Sequence, residues 1–411
     1  MAKLIKLPYS RQCIDDDDIA AVVDVLRGDW LTTGPSVVEF ERQLAQYCGA
    51  EFAVACASGT AALHLACLAA GVTPGTRVVV PAITFLATAN CARFCGADVT
   101  FTDVDPDSAN MGGTQFASAL GDGKAVSAVI PVHFGGHPVD LERIYAIAVE
   151  QGVSIIEDAC HSLGASYKST SGERVRVGSC RHSHMAVFSF HSVKHIAMGE
   201  GGAITTNDPA VYERLLRLRN HGMERDSDRF VDRELGFIDL AEEPRPNPWY
   251  YEMQSLGWNY RLTDIQCALG ISQLRKLDRF IERRRQIAAR YDQLIPNRFG
   301  TTVQPLDVAE YVDHAYHLYV VRIPFGMGIP SRAEVMRALA ATGVGSQVHY
   351  IPLYRQPYYR ALYNLSPDQF PNAEAYYSQC LSLPMFPKMS DAHVEAIVDA
   401  LANVLNERRR S

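Results

Sequence analysis

The sequence has little that would attach it to a membrane or to nucleic acid. Its most apolar region, residues 78–92, is broken by Pro81, two threonines and Asn90, which excludes a membrane-spanning helix there. The formal net charge of −7 argues against broad binding of nucleic acid or of anionic lipid. The N-terminal segment lacks the apolar core of a signal peptide, and we therefore expect a cytoplasmic protein.

Cysteine pairs with the spacing of a metal site are also missing. Ten cysteines are scattered along the chain without a C-x-x-C pair, and Cys91 with Cys95 alone cannot complete a zinc site. Several others, such as Cys67 and Cys267, lie within apolar runs, which is typical of reduced, buried thiols in a cytoplasmic protein. We expect no metal.

The length and the apolar pattern predict two domains. A chain of 411 residues is too long for one simple core. From about residue 53, short apolar runs alternate with helix-length stretches, which is typical of a mainly parallel sheet wrapped by helices. Beyond residue 270 the pattern changes to a long charged helix followed by shorter, mixed elements. We predict a large α/β domain, residues 1–270, and a smaller α+β domain, residues 271–411.

Two stretches carry residues suited to binding an anion and a protonated ring. The strand A-V-A-C-A runs into the turn of residues 58–60 and then a helix, an arrangement that binds anions, although an ordinary capped helix has the same pattern. The buried strand V-S-I-I-E-D ends at Asp158, with His161 three residues later. Ligands gather at the carboxyl ends of parallel strands, so Asp158 is a candidate partner for a ring nitrogen; an acid that only caps the next turn is the alternative.

A lone lysine stands between an aromatic strand and a glycine-rich loop. Lys194 follows F-S-F-H, which contains Ser189, and precedes Gly199, Gly201 and Gly202. A reactive amine must be held still and partly desolvated, whereas a surface lysine needs no such setting.

These motifs together match the needs of one cofactor. Pyridoxal phosphate requires a lysine that condenses with its aldehyde, an acid that keeps its pyridine nitrogen protonated, an anion cradle and an aromatic cover. Lys194, Asp158 and the turn of residues 58–60 with Ser189 supply the first three. Phe85, at the end of the predicted strand P-A-I-T-F, supplies the fourth. Each motif is weak alone, but the set in this order is specific.

A resemblance to a known family rests on motifs that span nearly the whole chain. They are S-G-T-A-A-L, P-A-I-T-F-x-A-T-A-N, E-D-A-C-H-S-L-G-A, F-S-F-H-x-V-K, G-E-G-G-A-I-T-T-N-D, R-N-H-G and G-W-N-Y-R-L-T-D-I-Q-C-A-L-G. With them the chain resembles the DegT/DnrJ/EryC1/StrS family of nucleotide-sugar aminotransferases. The resemblance implies the aspartate aminotransferase-like fold type I of pyridoxal-phosphate enzymes, with a mainly parallel mixed sheet in the large domain, and a homodimer with shared active sites.

The resemblance also implies the residues of the site. Lys194 and Asp158 are the implied catalytic residues. The implied cofactor-binding residues are Ser58, Gly59, Thr60, Phe85, Asp158, His161, Ser189, Lys194 and Asn259. The implied substrate-binding residues are Tyr9, Asp29, Trp30, Leu31, Thr32, Gly59, Ser189, Asn259, Gln347, Val348, His349 and Tyr350.

Within the family, the chain is most similar to transaminases of pseudaminic acid biosynthesis that form UDP-4-amino-4,6-dideoxy-N-acetyl-β-L-altrosamine. The motifs that indicate this are I-K-L-P-Y-S, D-W-L-T-T-G-P, W-Y-Y-E-M-Q-S-L-G-W-N-Y-R, H-A-Y-H-L-Y and Q-V-H-Y-I-P-L-Y. They imply L-glutamate as amino donor and a UDP-linked 4-keto-6-deoxy-N-acetylhexosamine as acceptor. One departure is H-I-A-M after the lysine, where that subgroup has P-I-T-T.

Three alternatives to this function remain at this point. In the first, the acceptor is another nucleotide-linked keto sugar. In the second, the chain is a sugar dehydratase that uses the same cofactor. Such dehydratases replace the lysine with histidine, whereas Lys194 is present and His195 is only its neighbour. A non-catalytic regulator that merely binds the cofactor would need a DNA-binding segment, for which the family motifs leave no room.

Overall fold

The structure is a computed structural model that describes residues 7–121, 125–238, 245–326 and 328–406. Ile5 and Lys6 of the motif I-K-L-P-Y-S lie outside the described residues. Within the described ranges, no helix is long and apolar enough to cross a membrane.

The chain forms short strands and longer helices in alternation over its first half. The strands are β1 Phe52–Cys56, β2 Arg77–Pro81, β3 Asp98–Thr102, β4 Val126–Val129, β5 Ser154–Asp158, β6 Ser166–Lys168, β7 Arg174–Arg176, β8 Met185–Ser189, β9 Gly202–Thr206, β10 Met223–Glu224, β11 Phe237–Ile238, β12 Arg245–Pro246, β13 Glu252–Met253, β14 Gln304–Pro305, β15 Val312–Asp313, β16 Tyr319–Arg322 and β17 Cys380–Leu383. The helices are α1 Asp16–Arg27, α2 Pro35–Cys48, α3 Gly59–Ala69, α4 Leu86–Phe94, α5 Gly113–Ala119, α6 Leu141–Gln151, α7 Pro209–Arg219, α8 Arg233–Gly236, α9 Asp264–Leu274, α10 Leu277–Phe299, α11 Arg332–Ala341, α12 Pro357–Tyr363, α13 Pro371–Gln379 and α14 Asp391–Asn406.

The central sheet has seven strands in the order β1-β9-β8-β5-β4-β2-β3. All neighbouring pairs are parallel except those of β9, which runs antiparallel to both β1 and β8. This sheet confirms the predicted fold class. Its parallel strands β2, β4, β5 and β8 end at the same edge, and the residues that follow them meet there.

Helix α3 lies in the interior against this sheet. Its sequence, G-T-A-A-L-H-L-A-C-L-A, is apolar on nearly all sides, which is typical of a helix buried on all faces. Ser58 caps its first turn by accepting a hydrogen bond at Oγ from the Ala61 N–H at 3.1 Å. The start of α3 is thereby fixed beside the ends of β8 and β5.

The C-terminal part of the chain contributes a second core. Buried residues of α10, α11 and α14 pack with β16 and β17, and Leu7 from the N-terminal segment joins them. Residue 270 lies inside α9, which packs against α1 and α2. The division of the chain into residues 1–270 and 271–411 stays a prediction.

The predicted strand P-A-I-T-F is wrong in its extent. Strand β2 ends at Pro81, and residues 82–85 form a loop before α4 begins at Leu86. The Thr84 and Thr88 hydroxyls are hydrogen-bonded to each other at 2.8 Å, so Thr84 turns toward the first turn of the helix. Threonine and phenylalanine favour strands, but here the hydrogen bond between the two threonines at the start of the helix favours a loop over a strand.

Candidate active site

A pocket of about 560 Å³ opens at the carboxyl edge of the central sheet. The ends of β5 and β8, the start of α3 and the loop before α4 form its walls, together with the segments around residues 9 and 349. The predicted site residues that line it are Tyr9, Ser58, Gly59, Thr60, Phe85, Asp158, His161, Ser189, Lys194, Gln347, Val348, His349 and Tyr350.

Lys194 lies half-buried in this pocket, on a turn after β8. Its backbone N–H donates to the His191 carbonyl at 2.8 Å, and Ser10 donates to the carbonyl of Val193 at 3.2 Å, so the turn is held from both sides. Burial lowers the pKa of the Lys194 amine, and the nearby Cys160 and Asp158 oppose this shift. The amine is therefore more available as a neutral base than a surface lysine.

Asp158 is buried at the end of β5 and is fixed by hydrogen bonds. Its Oδ2 accepts from the Thr88 hydroxyl at 2.7 Å, and its Oδ1 accepts from the Cys160 N–H at 3.2 Å. Thr88 in turn pairs with Thr84. These bonds hold the carboxyl group in one orientation, which suits a group that must face a ring nitrogen.

The turn before α3 forms a narrow cradle. A Cβ on Gly59 would lie 2.8 Å from Cβ of Ser189, and a Cβ on Gly202 would lie 2.3 Å from the Ser58 carbonyl oxygen. Glycine at both positions lets β8 and β9 approach the turn closely. The first N–H groups of a helix have no partner within the helix, so this cradle presents donors suited to a phosphate.

Aromatic and imidazole rings form the opposite wall. The Phe85 side chain is 53% exposed, and its ring centre lies 6.0 Å from that of Tyr350. The Tyr350 hydroxyl is within 3.2 Å of Nε2 of His161, whose Nδ1 is buried without a hydrogen-bond partner among the described residues. Burial lowers the pKa of His161 well below its usual value, so its ring is neutral. The amine, the fixed carboxylate, the cradle and the planar wall together fit pyridoxal phosphate.

Some pocket residues escape sequence reasoning. Thr88, His191, Glu200 and His317 line the pocket although none was predicted. Thr88 could have been found from the sequence, because it lies four residues after Thr84, at the start of the helix that follows a buried strand. His317 lies in the motif H-A-Y-H-L-Y, which indicated the subgroup but assigned no site role; its ring centre lies 4.3 Å from that of His161.

The departure from the subgroup motif, residues 195–198, lies outside the pocket. All four side chains are buried in the core. His195 donates from Nε2 to the Ala315 carbonyl at 3.1 Å, and Met198 packs closely against Gly270 of α9. The departure therefore changes core packing behind Lys194 rather than the pocket surface.

Two predicted segments do not reach the pocket of their own chain. Asp29, Trp30, Leu31 and Thr32 are all exposed, and Thr32 forms a backbone bridge with Thr263 just before α9. Asn259 is also exposed and pairs with Asn220 through its backbone. Both segments therefore lie near the start of α9, on the surface.

Comparisons with known proteins agree with this geometry. The model of the DegT/DnrJ/EryC1/StrS aminotransferase family matches residues 12–402. The chain is 35% identical over 401 residues to the spore coat polysaccharide biosynthesis protein SpsC of Bacillus subtilis, covering 97% of both chains.

Solved structures extend the similarity to the fold. PseC of Helicobacter pylori, an aminotransferase involved in pseudaminic acid biosynthesis, has a TM-score of 0.85 at 27% identity, covering 98% of this chain and all of that one. The putative sugar aminotransferase Spr1654 of Streptococcus pneumoniae, in its pyridoxal-phosphate form, has a TM-score of 0.85 at 28% identity, again covering 98% and 100%. The chain belongs to the DegT/DnrJ/EryC1/StrS family and is a pyridoxal-phosphate-dependent sugar aminotransferase.

Proposed function

We propose that this enzyme transfers the amino group of L-glutamate to the C4 ketone of a UDP-linked 4-keto-6-deoxy-N-acetylhexosamine. The product is UDP-4-amino-4,6-dideoxy-N-acetyl-β-L-altrosamine, an intermediate of pseudaminic acid biosynthesis. The observation that carries the proposal is the similarity to the pseudaminic acid aminotransferase of Helicobacter pylori, which covers 98% of this chain at a TM-score of 0.85. Because the substrate is a nucleotide sugar, the proposed location is the cytoplasm.

The proposed catalytic roles follow from the geometry of the pocket. When bound, pyridoxal phosphate supplies an aldehyde for amino groups and a ring that accepts the electron pair of a broken C–H bond. Lys194 takes the proton from the α-carbon of the donor and returns a proton to C4 of the sugar. Asp158, aligned by Thr88, holds the proton on the ring nitrogen. Residues 58–60 and Ser189 bind the phosphate through N–H and hydroxyl donors.

The proposed sugar-binding wall consists of neutral hydrogen-bonding groups. Tyr9 and His349 have ring centres 5.7 Å apart, and His349 also contacts the Ser382 hydroxyl through Nδ1 at 2.8 Å. Burial, together with the charge of Lys194, lowers the pKa of His349 to about 3, so the imidazole is neutral at pH 7. Burial also raises the pKa of Tyr350. Such groups recognise hydroxyls and an N-acetyl group without adding charge beside the amine.

We further propose a homodimer in which each subunit completes the site of the other. Asn259 and residues 29–32 are the proposed contribution across the interface. Their exposure, and their distance from the pocket of their own chain, support this role. Arg261, which donates to Oδ1 of Asn220 at 2.6 Å, adds a fixed positive charge beside Asn259 that suits the diphosphate of the substrate.

The test is a substrate panel. The enzyme, loaded with pyridoxal phosphate, is incubated with L-glutamate and UDP-linked 4-keto and 3-keto sugars. Release of 2-oxoglutarate is followed, and the products are assigned by NMR. We expect the fastest amination at C4 of the 6-deoxy-N-acetylhexosamine substrate, and no amination by the Lys194→Ala control.

Other products would redirect the proposal. Faster amination of a different nucleotide-linked keto sugar would replace the proposed acceptor and leave the transamination intact. A sugar that loses a hydroxyl without gaining nitrogen would make the chain a dehydratase and overturn the transamination.

A further inference from the structure

Arg284 on α10 is a fully buried cation without an acidic partner. Its side chain is 1% exposed, and no carboxylate among the described residues forms an ion pair with it. Burial lowers the pKa of the Arg284 guanidinium to about 10, so the group remains charged at pH 7. Because desolvation of a charge is costly, arginine is rarely buried unless it is paired. What Arg284 binds must therefore account for its position.

The guanidinium binds backbone carbonyl groups from two separate segments. Its Nη1 donates to the carbonyl oxygens of Tyr316 at 3.1 Å and of His317 at 3.3 Å, both in the loop between β15 and β16. It also donates to the carbonyl oxygen of Met385, just after β17, at 3.1 Å. Hydrogen bonds from a charged donor are stronger than those between neutral groups, so Arg284 holds the two segments together.

Both of these segments reach the active-site pocket, although Arg284 itself does not line it. The side chain of His317 lines the pocket, and its ring centre lies 4.3 Å from that of His161. The Met385 N–H donates to the carbonyl oxygen of Tyr9, another pocket residue, at 3.0 Å. Arg284 can therefore affect the pocket only through the residues that it holds.

The loop that carries His317 is packed tightly on the side opposite to Arg284. The Ala315 N–H donates to the carbonyl oxygen of Gly136 at 3.0 Å. A Cβ on Gly136, whose φ is +103°, would lie 2.9 Å from both the His161 carbonyl oxygen and the backbone nitrogen of His317. The backbones of the two histidines thus meet at this glycine, and a shift of the loop would change the distance between their rings.

We propose that Arg284 is a positioning residue of the active site, which holds His317 against His161 and thereby fixes the imidazole wall beside the cofactor. Without the guanidinium, the buried carbonyl groups of the loop lose their donor, and the loop must move to find another. The inference rests on the proposed role of His161 in binding the cofactor, and it does not depend on which sugar is the acceptor.

The test follows the binding of pyridoxal phosphate, with no sugar present. Arg284→Met removes the charge, whereas Arg284→Lys keeps it but lacks the planar guanidinium. Cofactor affinity is measured by absorbance titration, and the visible circular dichroism of the bound cofactor reports how the site holds its ring. We expect Arg284→Met to lower the affinity by about tenfold or more and to weaken the dichroism at saturating cofactor. Arg284→Lys should show a smaller loss of both.

Arg283→Met is the matched control. Arg283 is the preceding residue of α10 and also donates to a backbone carbonyl group, that of Met389 at 2.8 Å, but neither residue lines the pocket. Its substitution should leave cofactor affinity and visible circular dichroism unchanged. Far-ultraviolet circular dichroism and urea unfolding check the fold of every variant.

A double variant decides between positioning and general support of the fold. His317→Ala should weaken cofactor binding alone, and Arg284→Met should then add little, because its effect passes through His317. The proposal is overturned if Arg284→Met or His317→Ala binds the cofactor like the wild type, or if the two losses of binding free energy add in full. Failure of both Arg284 variants to fold would also overturn it, since Arg284 would then serve the fold alone. None of these outcomes bears on the proposed acceptor, because no sugar is added.

Discussion

At the scale of single residues, the site depends on two ionisable groups in unlike surroundings. Desolvation favours the neutral amine of Lys194. Two hydrogen bonds, from Thr88 and from the backbone of Cys160, hold the carboxyl group of Asp158 in one orientation. Each can be tested by a single substitution.

Lys194→Ala should abolish turnover and leave the fold intact. Among the described residues, Lys194 is the only lysine that lines the pocket, so no other amine there can replace it. The variant should still bind pyridoxamine phosphate through residues 58–60 and Asp158. The checks are 2-oxoglutarate release and circular dichroism, with Lys168→Ala, an exposed strand residue, as control. Turnover near the wild-type rate would refute the assignment of Lys194.

Asp158→Asn should retain the cofactor but slow transamination by orders of magnitude. An amide holds the proton of the ring nitrogen poorly, and each ~1.4 kcal/mol lost in the transition state is a factor of ten in rate. Thr88→Val removes only one hydrogen bond to the carboxylate, so we expect a smaller loss of about ten- to a hundredfold. Single-turnover kinetics with L-glutamate measures both. A slowing of less than about tenfold in Asp158→Asn would make it a structural acid.

The role of a residue could be predicted from the sequence where a local sequence pattern indicated that role. Asp158 ends a strand and Lys194 follows one, at the edge where a parallel sheet collects ligands, and the structure brings both into one pocket. Thr88 contacts Asp158, and His317 contacts His161, each from a segment distant in sequence. Their contacts depend on side-chain packing between segments distant in sequence, which no local pattern encodes.

At the scale of elements, the turn that starts α3 tolerates almost no added volume. In Gly59→Ala, the new Cβ would lie 2.8 Å from Cβ of Ser189, so the turn or β8 must move. Overpacking of this kind costs about 1–3 kcal/mol. We expect affinity for pyridoxal phosphate to fall by about tenfold or more, measured by absorbance titration.

A matched glycine substitution provides the control for this prediction. The nearest contact of a Cβ on Gly121 would be the Ser118 carbonyl oxygen at 3.6 Å, which is ordinary packing. Gly121→Ala should therefore leave cofactor affinity unchanged. Equal affinities of the Gly59 and Gly121 variants would show that the turn does not form the phosphate cradle.

Buried histidines from separate loops should make stability depend on pH. Burial lowers the pKa of His161, His195 and His317 well below 6.5 and that of His349 to about 3. Below pH 6.5 the unfolded chain binds protons at these residues while the folded chain does not, so stability falls as the pH falls. Each histidine contributes up to about 1.4 kcal/mol per pH unit.

Urea unfolding between pH 7.5 and 5.5 measures this dependence. His195→Asn removes one titrating group and should make the fall shallower. A free energy of unfolding that stays constant over this range would contradict the prediction.

Helices and strands could be predicted from the sequence where they contain a continuous apolar run or one apolar face. The buried strands around Asp158 and Ser189 and the apolar helix after Ser58 form as their patterns indicate. The prediction of a strand that continues to Phe85 was wrong, because the hydrogen-bonded pair of Thr84 and Thr88 at the start of α4 competes with the strand propensity of these residues. The sheet order, with β9 reversed between two neighbours, depends on long-range pairing and was not predicted in detail.

At the scale of the whole molecule, several large apolar side chains are exposed on the single chain, which favours an interface with a second chain. Trp30, Leu31, Trp249, Met253 and Leu256 are all between 49% and 71% exposed. Patches of large exposed apolar side chains are typical of protein interfaces. The segments implied to bind substrate, residues 29–32 and Asn259, lie among or next to these side chains. The proposed homodimer would cover these side chains and deliver those segments to the site of the partner.

Subunit mixing tests the shared site. Asn259→Ala and Lys194→Ala homodimers should each be weak or inactive, because each lacks a group that both of its sites need. In the mixed dimer, one subunit supplies Lys194 and the other supplies Asn259, so one of the two sites is intact. Random reassociation of equal amounts makes about half of the dimers mixed, and recovered activity should approach about a quarter of the wild-type value.

The measurement is 2-oxoglutarate release after subunit exchange, with exchange verified by native mass spectrometry. Mixing either variant with itself is the control. If exchange is complete, the Asn259→Ala defect is strong and no activity returns, then Lys194 and Asn259 serve the same site from one chain.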